Sequence, residues 1–192
     1  MNCLILNGAT EKRNGAFHRK IRDVLERESG KRGFTVTAFD LDSMEIKPCR
    51  GCFACWVKHP GTCAIRDDEE RILRAVVRSE ILVWLTPITF GGYSSALKKA
   101  LDRIIPISLP FFIKSHGEIH HPPRYSGRKK LLAVGTLPRS DEGAGNIFRD
   151  LVGRNAINLN TIKTRVAVLD EEMDEAGIER AVQEMFEQAE VA

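Results

Sequence analysis

Residues 81–104 read ILVWLTPITFGGYSSALKKALDRI, and they carry the clearest indication of the fold class. Its first five residues are apolar throughout, which is typical of a strand buried on both faces of a sheet. Ser94 or Ser95 then opens a helix. The apolar residues of that helix share one side: Leu97, Ala100, Leu101, Ile104 and Ile105. A buried strand followed at once by an amphipathic helix predicts a parallel sheet covered by helices.

The same alternation recurs along the whole chain. Further strands are expected around residues 3–6, 34–39, 131–134 and 166–169, and further helices around residues 17–25, 72–77, 145–152 and 178–186. The pattern βαβαβαβαβα predicts one α/β domain over residues 1–192, with a five-stranded parallel sheet and right-handed crossovers. Asp67 or Asp68 is expected to cap the second of these helices. Two long irregular segments remain, at residues 48–66 and 106–125, and ordered loops of this length are often functional.

Composition excludes several classes of protein. The chain has 192 residues, of which 43% are hydrophobic and 29% charged, as in a globular protein. A formal charge of +3 is too small to indicate nucleic-acid binding. No apolar run approaches the roughly 20 residues that span a bilayer, so no membrane association is expected. The start, MNCLILNG, lacks the basic region and cleavage site of a signal peptide, so we expect a cytoplasmic protein.

Three loops are expected to meet at one edge of this sheet. Open parallel sheets bind ligands at the carboxyl ends of their strands, beside the switch point in strand order. Residues 7–20, NGATEKRNGAFHRK, run into a helix N-terminus, where backbone amides and the helix dipole favour an anion. Gly91 and Gly92 allow a planar ligand to approach the backbone, and Phe90 or Tyr93 could stack on it. Each loop alone also fits an ordinary turn, but together with residues 135–146 they predict one flat, phosphorylated ligand.

Four of the five cysteines fall within PCRGCFACWVKHPGTCAIRDD, residues 48–68. They follow the pattern C-x2-C-x2-C-x7-C and are Cys49, Cys52, Cys55 and Cys63. Structural disulfides are rare in the cytoplasm, and the cysteine count is odd. An iron–sulfur cluster, a redox pair, zinc and a packed loop of reduced cysteines all stay open. Zinc fits less well because His59 is the one nearby histidine. Cys3, inside a strand, is expected in the core.

The proline-rich segment carries a different signal. Its apolar start, IIPISLPFFI at residues 104–113, is expected to pack against another subunit or over a ligand. His116, His120 and His121 follow it, and we favour a lid or subunit contact over a metal site for them.

At this point the chain resembles a known family. TPITFGGYSSALKKALDR, residues 86–103, is similar to the flavin-ring loop of the flavodoxin-like NADPH-dependent FMN reductases. The cysteine block with Asp67 and Asp68 resembles the branch that includes the iron–sulfur flavoproteins, and the resemblance covers roughly residues 1–169. It implies a flavodoxin-like sheet of order 2-1-3-4-5 with FMN at its switch point. It also implies a homodimer or homotetramer that takes electrons from NAD(P)H and passes them to a small-molecule or protein acceptor.

The resemblance also implies site residues. The phosphate loop would comprise Ala9, Thr10, Lys12, Asn14, Gly15, Ala16 and Phe17. The ring loop would comprise Thr86, Pro87, Ile88, Thr89, Phe90 and Gly91, with Gly135 and Thr136 opposite. Ala9 and Phe17 replace a usual serine and threonine, so backbone amides, Thr10 and Lys12 must hold the phosphate. The four clustered cysteines would hold a 4Fe–4S cluster, in a loop beside the flavin or near the flavin of a partner subunit.

No catalytic side chain is expected, because a flavin supplies the hydride chemistry itself. Backbone amides of residues 88–91 would stabilise negative charge on the reduced ring. Two alternatives use the same residues differently. One is an FMN or iron–sulfur electron carrier without NAD(P)H oxidation. The other is a flavodoxin-like interaction domain that has lost FMN, with which Ala9 and Phe17 agree.

Overall fold

A computed structural model describes residues 1–10, 15–115 and 117–190. The strands are β1 (Asn2–Asn7), β2 (Thr35–Asp40), β3 (Ile81–Pro87), β4 (Ile113–Ser115), β5 (Glu118–His120), β6 (Lys129–Leu137) and β7 (Thr161–Asp170). The helices are α1 (Gly15–Lys31), α2 (Ala54–Val57), α3 (Glu69–Arg78), α4 (Ser95–Asp102), α5 (Glu142–Asn158) and α6 (Glu175–Glu190). Within the described ranges, no helix combines the length and the apolar character that a bilayer span requires.

Five of these strands form one parallel sheet in the order β2-β1-β3-β6-β7. β4 and β5 pair only with each other, as an antiparallel hairpin. β6 and β7 are therefore the fourth and fifth strands of the main sheet. This confirms the predicted flavodoxin-like α/β fold and its order 2-1-3-4-5. The order reverses between β1 and β3, which places the switch point there.

The core lies on both faces of the sheet because alternate residues of a strand point to opposite sides. On β3, Leu82 and Trp84 pack with Phe148 of α5, in the cluster beneath α3, α4 and α5. Val83 belongs to the opposite cluster, where Ile21 of α1 packs. Every residue from 81 to 86 is buried, as the unbroken apolar run predicted.

The helices differ from the sequence pattern at their ends. α4 stops at Asp102, so Ile104 and Ile105 do not continue its apolar face. Ile105 instead begins a 3₁₀ turn (Ile105–Ile107) containing Pro106, whose ring cannot donate a hydrogen bond to the preceding turn. α5 begins three residues earlier than the pattern indicated, because Asp141 Oδ1 accepts a hydrogen bond from the Ala144 amide at 2.9 Å.

The two aspartates before α3 divide their roles. Asp67 Oδ1 accepts from the Glu69 amide at 3.2 Å, so Asp67 satisfies the first turn of the helix. Asp68 occupies the cap position without capping, and its Oδ2 accepts instead from the Glu45 amide at 2.9 Å. Asp67 Oδ2 likewise accepts from the Lys47 amide at 2.9 Å. The two carboxylates therefore connect the residues just before the cysteine segment to those just after it.

Candidate functional site

The loop after β3 is a tight two-residue hairpin turn. Thr89 and Gly92 exchange two backbone hydrogen bonds, each of 2.9 Å. Phe90 and Gly91 between them have φ values of 50° and 76°, the signature of a type I′ turn. A Cβ at position 91 would also lie 2.5 Å from Cγ2 of Ile147 on α5. Backbone conformation and close packing therefore both require glycine at this position.

Phe90 presents its side chain outward from this turn. The residue is 102% exposed. Its φ of 50° lies in the left-handed region, which is uncommon for a bulky residue such as phenylalanine. Strained residues of this kind occur often at ligand sites, where the surrounding structure holds them in place. The ring is thus available to a ligand or a second molecule and contributes nothing to the core.

The amides of the ring loop fall into two groups. The Ile88 amide donates to Thr136 O at 2.8 Å, and the Thr89 amide donates to Gly92 O. These bonds correct the expectation that all amides of residues 88–91 face a ligand. The amides of Phe90 and Gly91 donate to no acceptor among the described residues. These two amides at the tip of the turn are therefore open to an acceptor from outside the chain, either water or a ligand.

Thr86 and Thr136 support this loop from within the sheet. They are 0% and 3% exposed. Thr86 Oγ1 accepts from the Ser94 amide at 2.9 Å, and Thr136 Oγ1 lies 2.7 Å from His18 Nε2. The strand register places Gly135 beside Thr86 and Thr136 beside Pro87. The structure thus brings Gly135 and Thr136 next to the ring loop, as predicted. Thr86 and Thr136 themselves are buried, and their hydroxyls stabilise the loop from within the sheet.

His18 is a residue that the sequence interpretation missed. It lies in the first turn of α1, is 3% exposed, and bridges to the end of β6 through Thr136. The available signal was its spacing, because His18 precedes Ile21 and Leu25 on the buried face of α1. A polar residue on an apolar helix face, next to the expected phosphate loop, indicates a polar connection across the sheet edge.

Gly8 and Ser94 join β1 to α4 at the switch point. Ser94 Oγ donates to Gly8 O at 2.6 Å and accepts from the Leu97 amide at 3.2 Å, which caps α4. A Cβ on Gly8 would lie 2.6 Å from Ser94 Oγ. The close approach of the two chain segments therefore requires glycine at position 8.

A cavity of about 370 Å³ opens between the end of β1, the start of α1 and the end of β2. The predicted phosphate-loop residues Ala9, Thr10 and Gly15 line it, together with His18, an ion pair of Arg22 with Asp40, and the carboxylate of Asp42. Ala16 is exposed and Phe17 half-buried at the helix start. Lys12 and Asn14 lie outside the described residues. The positive end of the α1 dipole at this cavity suits an anionic group.

The four clustered cysteines share one small cavity. Cys49 and Cys52 are exposed, Cys55 and Cys63 are partly buried, and all four are free thiols. The cavity that they line measures about 30 Å³, enough for about one water molecule. Burial first, and then the neighbouring sulfurs, raise the pKa of Cys55. Across the described ranges, no three His, Cys, Asp or Glu side chains are arranged to hold a metal ion. Four thiol groups are a suitable ligand set for iron. In the described structure they are not arranged as a complete metal site.

The cysteine segment contacts the C-terminal end of α4. Cys63 contacts Arg103, directly after α4, whereas the ring loop directly precedes α4. The eight residues of α4 rise about 12 Å, at about 1.5 Å each, so these two contacts lie at opposite ends of the helix. A position of the cysteine loop beside a bound flavin stays a prediction.

Aromatic rings join the cysteine segment to the proline-rich segment. Phe53 stacks on Trp56 with ring centroids 5.5 Å apart, and Trp56 meets His121 at 4.6 Å. Trp56 Nε1 also donates to Ser108 O at 3.1 Å. His120, by contrast, lies 2.9 Å from Asn158 Oδ1 of α5 through its Nδ1. The two histidines therefore attach the hairpin to different neighbours, and His116 lies outside the described residues.

Cys3 is in the core, as predicted. It is 0% exposed, and burial raises the pKa of its thiol to about 11, against a lowering contribution from the Ser29 hydroxyl at 3.5 Å. It takes no part in the cysteine cavity.

Known proteins with related sequences include iron–sulfur flavoproteins. One from Archaeoglobus fulgidus is 33% identical over 103 residues, covering 54% of this chain and 48% of the relative. One from Methanocaldococcus jannaschii is 32% identical over 83 residues, covering 43% and 42%. The chain therefore spans about half the length, or less, of these curated relatives.

Solved structures confirm the fold. A NAD(P)H:quinone oxidoreductase from Methanothermobacter marburgensis superposes with a TM-score of 0.72 at 14% identity, covering 98% of this chain and 97% of that one. An FMN-dependent NADH-azoreductase from Bacillus anthracis, in complex with FMN, gives 0.62 at 15% identity, covering 98% of both chains. The sequence profile described as NADPH-dependent FMN reductase matches residues 1–143. Since that match covers most of the chain, the protein belongs to the NADPH-dependent FMN reductase family.

Proposed function

We propose that this protein is an FMN-dependent oxidoreductase that takes electrons from NAD(P)H and passes them to a small acceptor such as a flavin or quinone. FMN would bind at the carboxyl edge of β1, β3 and β6. The observation that carries this proposal is the turn at residues 89–92. It offers two amides without acceptors in the described chain and one fully exposed aromatic ring, beside the switch point where such sheets bind ligands.

The residues present fit FMN at both of its ends. The amides of Phe90 and Gly91 suit the carbonyl and nitrogen acceptors of a flavin ring, and the Phe90 side chain suits its face. Ala9, Thr10 and Gly15 line the cavity at the start of α1, where a phosphate gains from the helix dipole. Lys12, Asn14, Ala16 and Phe17 complete the proposed phosphate loop.

FMN, when bound, supplies the hydride and electron chemistry. The chain's own contribution is position and electrostatics. Amide dipoles of the rigid turn stabilise negative charge that develops on a bound ring. Thr86, Thr136 and His18 keep this turn in place through buried hydrogen bonds. No side chain is proposed as a general acid or base.

Enzyme assays on the purified protein test this function. We expect bound flavin, and oxidation of NADH or NADPH that depends on an added quinone or free flavin. Bound flavin without oxidation of either nucleotide would favour the electron carrier. A colourless protein that takes up no added FMN would favour the interaction domain. The rates with NADH and NADPH, measured side by side, identify the donor.

A second proposal concerns the cysteines: the family branch and the donor set support a 4Fe–4S cluster held by Cys49, Cys52, Cys55 and Cys63. The support is the common cavity that the four side chains line, together with relatives named iron–sulfur flavoproteins. Soft thiolates are the usual ligands of such clusters. The test is an assay of iron and acid-labile sulfide in protein purified or reconstituted anaerobically. Flavin without iron after reconstitution would contradict this proposal.

We also propose that the chain acts as a homo-oligomer. Four apolar residues of the proline-rich segment are strongly exposed: Phe111 66%, Phe112 71%, Ile113 42% and Ile119 65%. Large apolar side chains exposed in one short segment often pack against another protein surface. Light scattering on the purified chain, and on a variant with Phe111 and Phe112 replaced by serine, tests this. A wild-type monomer would contradict it.

A further inference from the structure

Arg103 is buried at the base of the cysteine segment. It directly follows α4, and its side chain is 1% exposed. A buried guanidinium is costly to desolvate unless neighbouring groups accept its hydrogen bonds. The groups that accept hydrogen bonds from Arg103 therefore indicate its structural role.

Arg103 donates to four acceptors, and all four belong to the cysteine segment or its flanks. They are Asp67 Oδ2 at 2.5 Å, Lys47 O at 3.0 Å, Ile65 O at 3.2 Å and Cys63 Sγ at 3.4 Å. Lys47 and Asp67 bracket all four clustered cysteines, and Asp67 Oδ2 also accepts from the Lys47 amide at 2.9 Å. Arg103 thus closes the segment at its base and reaches one of its sulfurs.

The bond to Cys63 has a specific chemical meaning. A neutral thiol is a weak hydrogen-bond acceptor, whereas an anionic sulfur is a good acceptor for a charged donor. Among the described residues, the donor to Cys49 Sγ is a backbone N–H, that of Gly51 at 3.5 Å. Within the described ranges, Cys63 is the one clustered cysteine whose sulfur faces a cationic side chain. Cys63 therefore differs from the other three clustered cysteines in the charged donor at its sulfur.

Arg103 divides its guanidinium between a carboxylate and the sulfur. Asp67, also 1% exposed, pairs with Nη1, and Nη2 reaches Cys63. Glu69 is 0% exposed, and neither of its carboxyl oxygens has a hydrogen-bond partner among the described residues. Burial is the main cause that raises the pKa of Glu69 to about 8, so this carboxyl is mostly neutral at pH 7 and does not compete with Cys63.

We propose that Arg103 is a positioning residue for the cysteine site: it holds Cys63 as a fixed, charge-compensated sulfur ligand, onto which the more exposed Cys49 and Cys52 close when metal binds. This inference rests on the proposal that the four cysteines bind metal. Donors to a ligating sulfur also raise the reduction potential of a bound cluster. Loss of the Arg103 bond should therefore weaken metal binding and lower that potential.

Cobalt(II) binding to the metal-free protein tests the inference without requiring a cluster. Thiolate ligation gives a sulfur-to-cobalt charge-transfer absorption, which is titrated anaerobically. Arg103→Lys keeps the positive charge beside Asp67 but loses the planar fork that reaches several acceptors. We expect its cobalt dissociation constant to rise at least about tenfold, as is usual when a hydrogen-bond partner of a metal ligand is replaced. Cobalt binding equal to wild type would overturn the inference.

Arg124→Lys is the matched control. Arg124 also donates to backbone carbonyls, Pro106 O at 2.9 Å and Ser108 O at 3.4 Å, but the structure gives it no bond to sulfur. This variant should bind cobalt like wild type. In a Cys63→Ser background, Arg103→Lys should add no further loss, because the arginine is inferred to act through that sulfur. An equal further loss there would also overturn it.

Two further outcomes are decisive. If circular dichroism shows that Arg103→Lys does not fold, Cys63→Ser is compared with Cys49→Ser, and Cys63→Ser must lose more cobalt affinity. If wild type gives no charge-transfer absorption, the inference fails. If wild type binds cobalt with the expected dependence on Arg103 but takes up no iron and sulfide, the iron–sulfur proposal fails while the role of Arg103 stands.

Discussion

The ring loop at residues 86–94 and the cysteine segment at residues 48–66 are both irregular, but they are held in opposite ways. The ring loop is short, and both of its ends continue regular elements, β3 and α4. Its turn is closed by two backbone bonds, and buried hydroxyls support it from β3 and β6. The cysteine segment is held by side chains instead, at its base by Arg103 and Asp67 and through Trp56 to the proline-rich segment, and two of its sulfurs are exposed.

The two regions therefore differ in what fixes them: the sheet fixes the ring loop, whereas side chains from other parts of the chain fix the cysteine segment. The sheet register fixes the ring loop, so the FMN site that we propose there needs no rearrangement of this loop. The cysteine segment has one fixed sulfur and a cavity of about 30 Å³, so a metal centre there must complete its own geometry. The former suits a cofactor bound by shape, and the latter a group that is assembled on the protein.

Glu69→Gln at the base of the cysteine segment should have the largest effect on stability. Because the pKa of Glu69 rises from 4.5 to about 8, the unfolded state ionises first. The wild-type free energy of unfolding should therefore fall as the pH rises from about 4.5 to about 8. Glutamine removes this cost, so the variant should be more stable than wild type by on the order of 3 kcal/mol at pH 8.

Urea unfolding at pH 5 and pH 8 measures this difference. Glu70→Gln is the control, since Glu70 pairs only with surface arginines and should change stability by less than about 0.5 kcal/mol. The difference in stability between Glu69→Gln and wild type should grow with pH. A difference that stays constant would contradict the raised pKa of Glu69.

Gly91→Ala should have the largest effect on the ring loop. Alanine is disfavoured at φ 76°, and its Cβ would overlap Ile147. We expect a loss of stability of about 2 kcal/mol and at least about tenfold weaker FMN binding. Gly30→Ala is the matched control, because a Cβ there meets nothing within 4 Å. FMN binding is followed by quenching of flavin fluorescence, and equal affinity in both variants would exclude a role for the turn.

Ser94→Ala should separate support from contact. Its hydroxyl caps α4 and donates to Gly8 O, so the variant should lose about 1 kcal/mol of stability. FMN affinity should fall less than in Gly91→Ala, because the amides of the turn are retained. Ser95→Ala, at an exposed neighbour, provides the reference in thermal unfolding. Equal thermal stability of Ser94→Ala and Ser95→Ala would contradict the role of Ser94 in joining β1 to α4.

Phe90→Ala should leave stability within about 0.5 kcal/mol of wild type, because the ring is fully exposed. FMN affinity should fall several-fold, since a stacking surface is lost. Phe53→Ala makes the same truncation in the cysteine segment and should not change FMN affinity. If both variants bind FMN like wild type, the exposed ring serves something other than the flavin.

Sequence alone predicts the scaffold well. Residues 81–85 form an unbroken apolar run, and such a run specifies a strand buried on both faces. Gly91 and Ser94 follow it at positions where a turn and a helix cap need those residue types. Periodicity and local backbone chemistry suffice for these features, because neither depends on distant contacts.

The interior connections were not predictable in the same way. Arg103 ends the sequence LKKALDR, where it looks like one more solvated charge, and only the folded chain shows its bond to Cys63. Glu69 likewise reads as part of an acidic helix start. His18 reaches Thr136 over 118 positions of sequence. Contacts of this range depend on how helices dock, which no local pattern records.

The most decisive experiment is a spectral titration of the metal-free protein with FMN. We expect a saturable change in the flavin spectrum at a single FMN per chain. We also expect a marked loss of affinity in Gly91→Ala but not in Arg103→Lys, because Arg103 donates its side-chain hydrogen bonds to the cysteine segment and its flanks. Absence of any spectral change, or binding that Gly91→Ala leaves intact, would contradict a flavin site built on the ring loop.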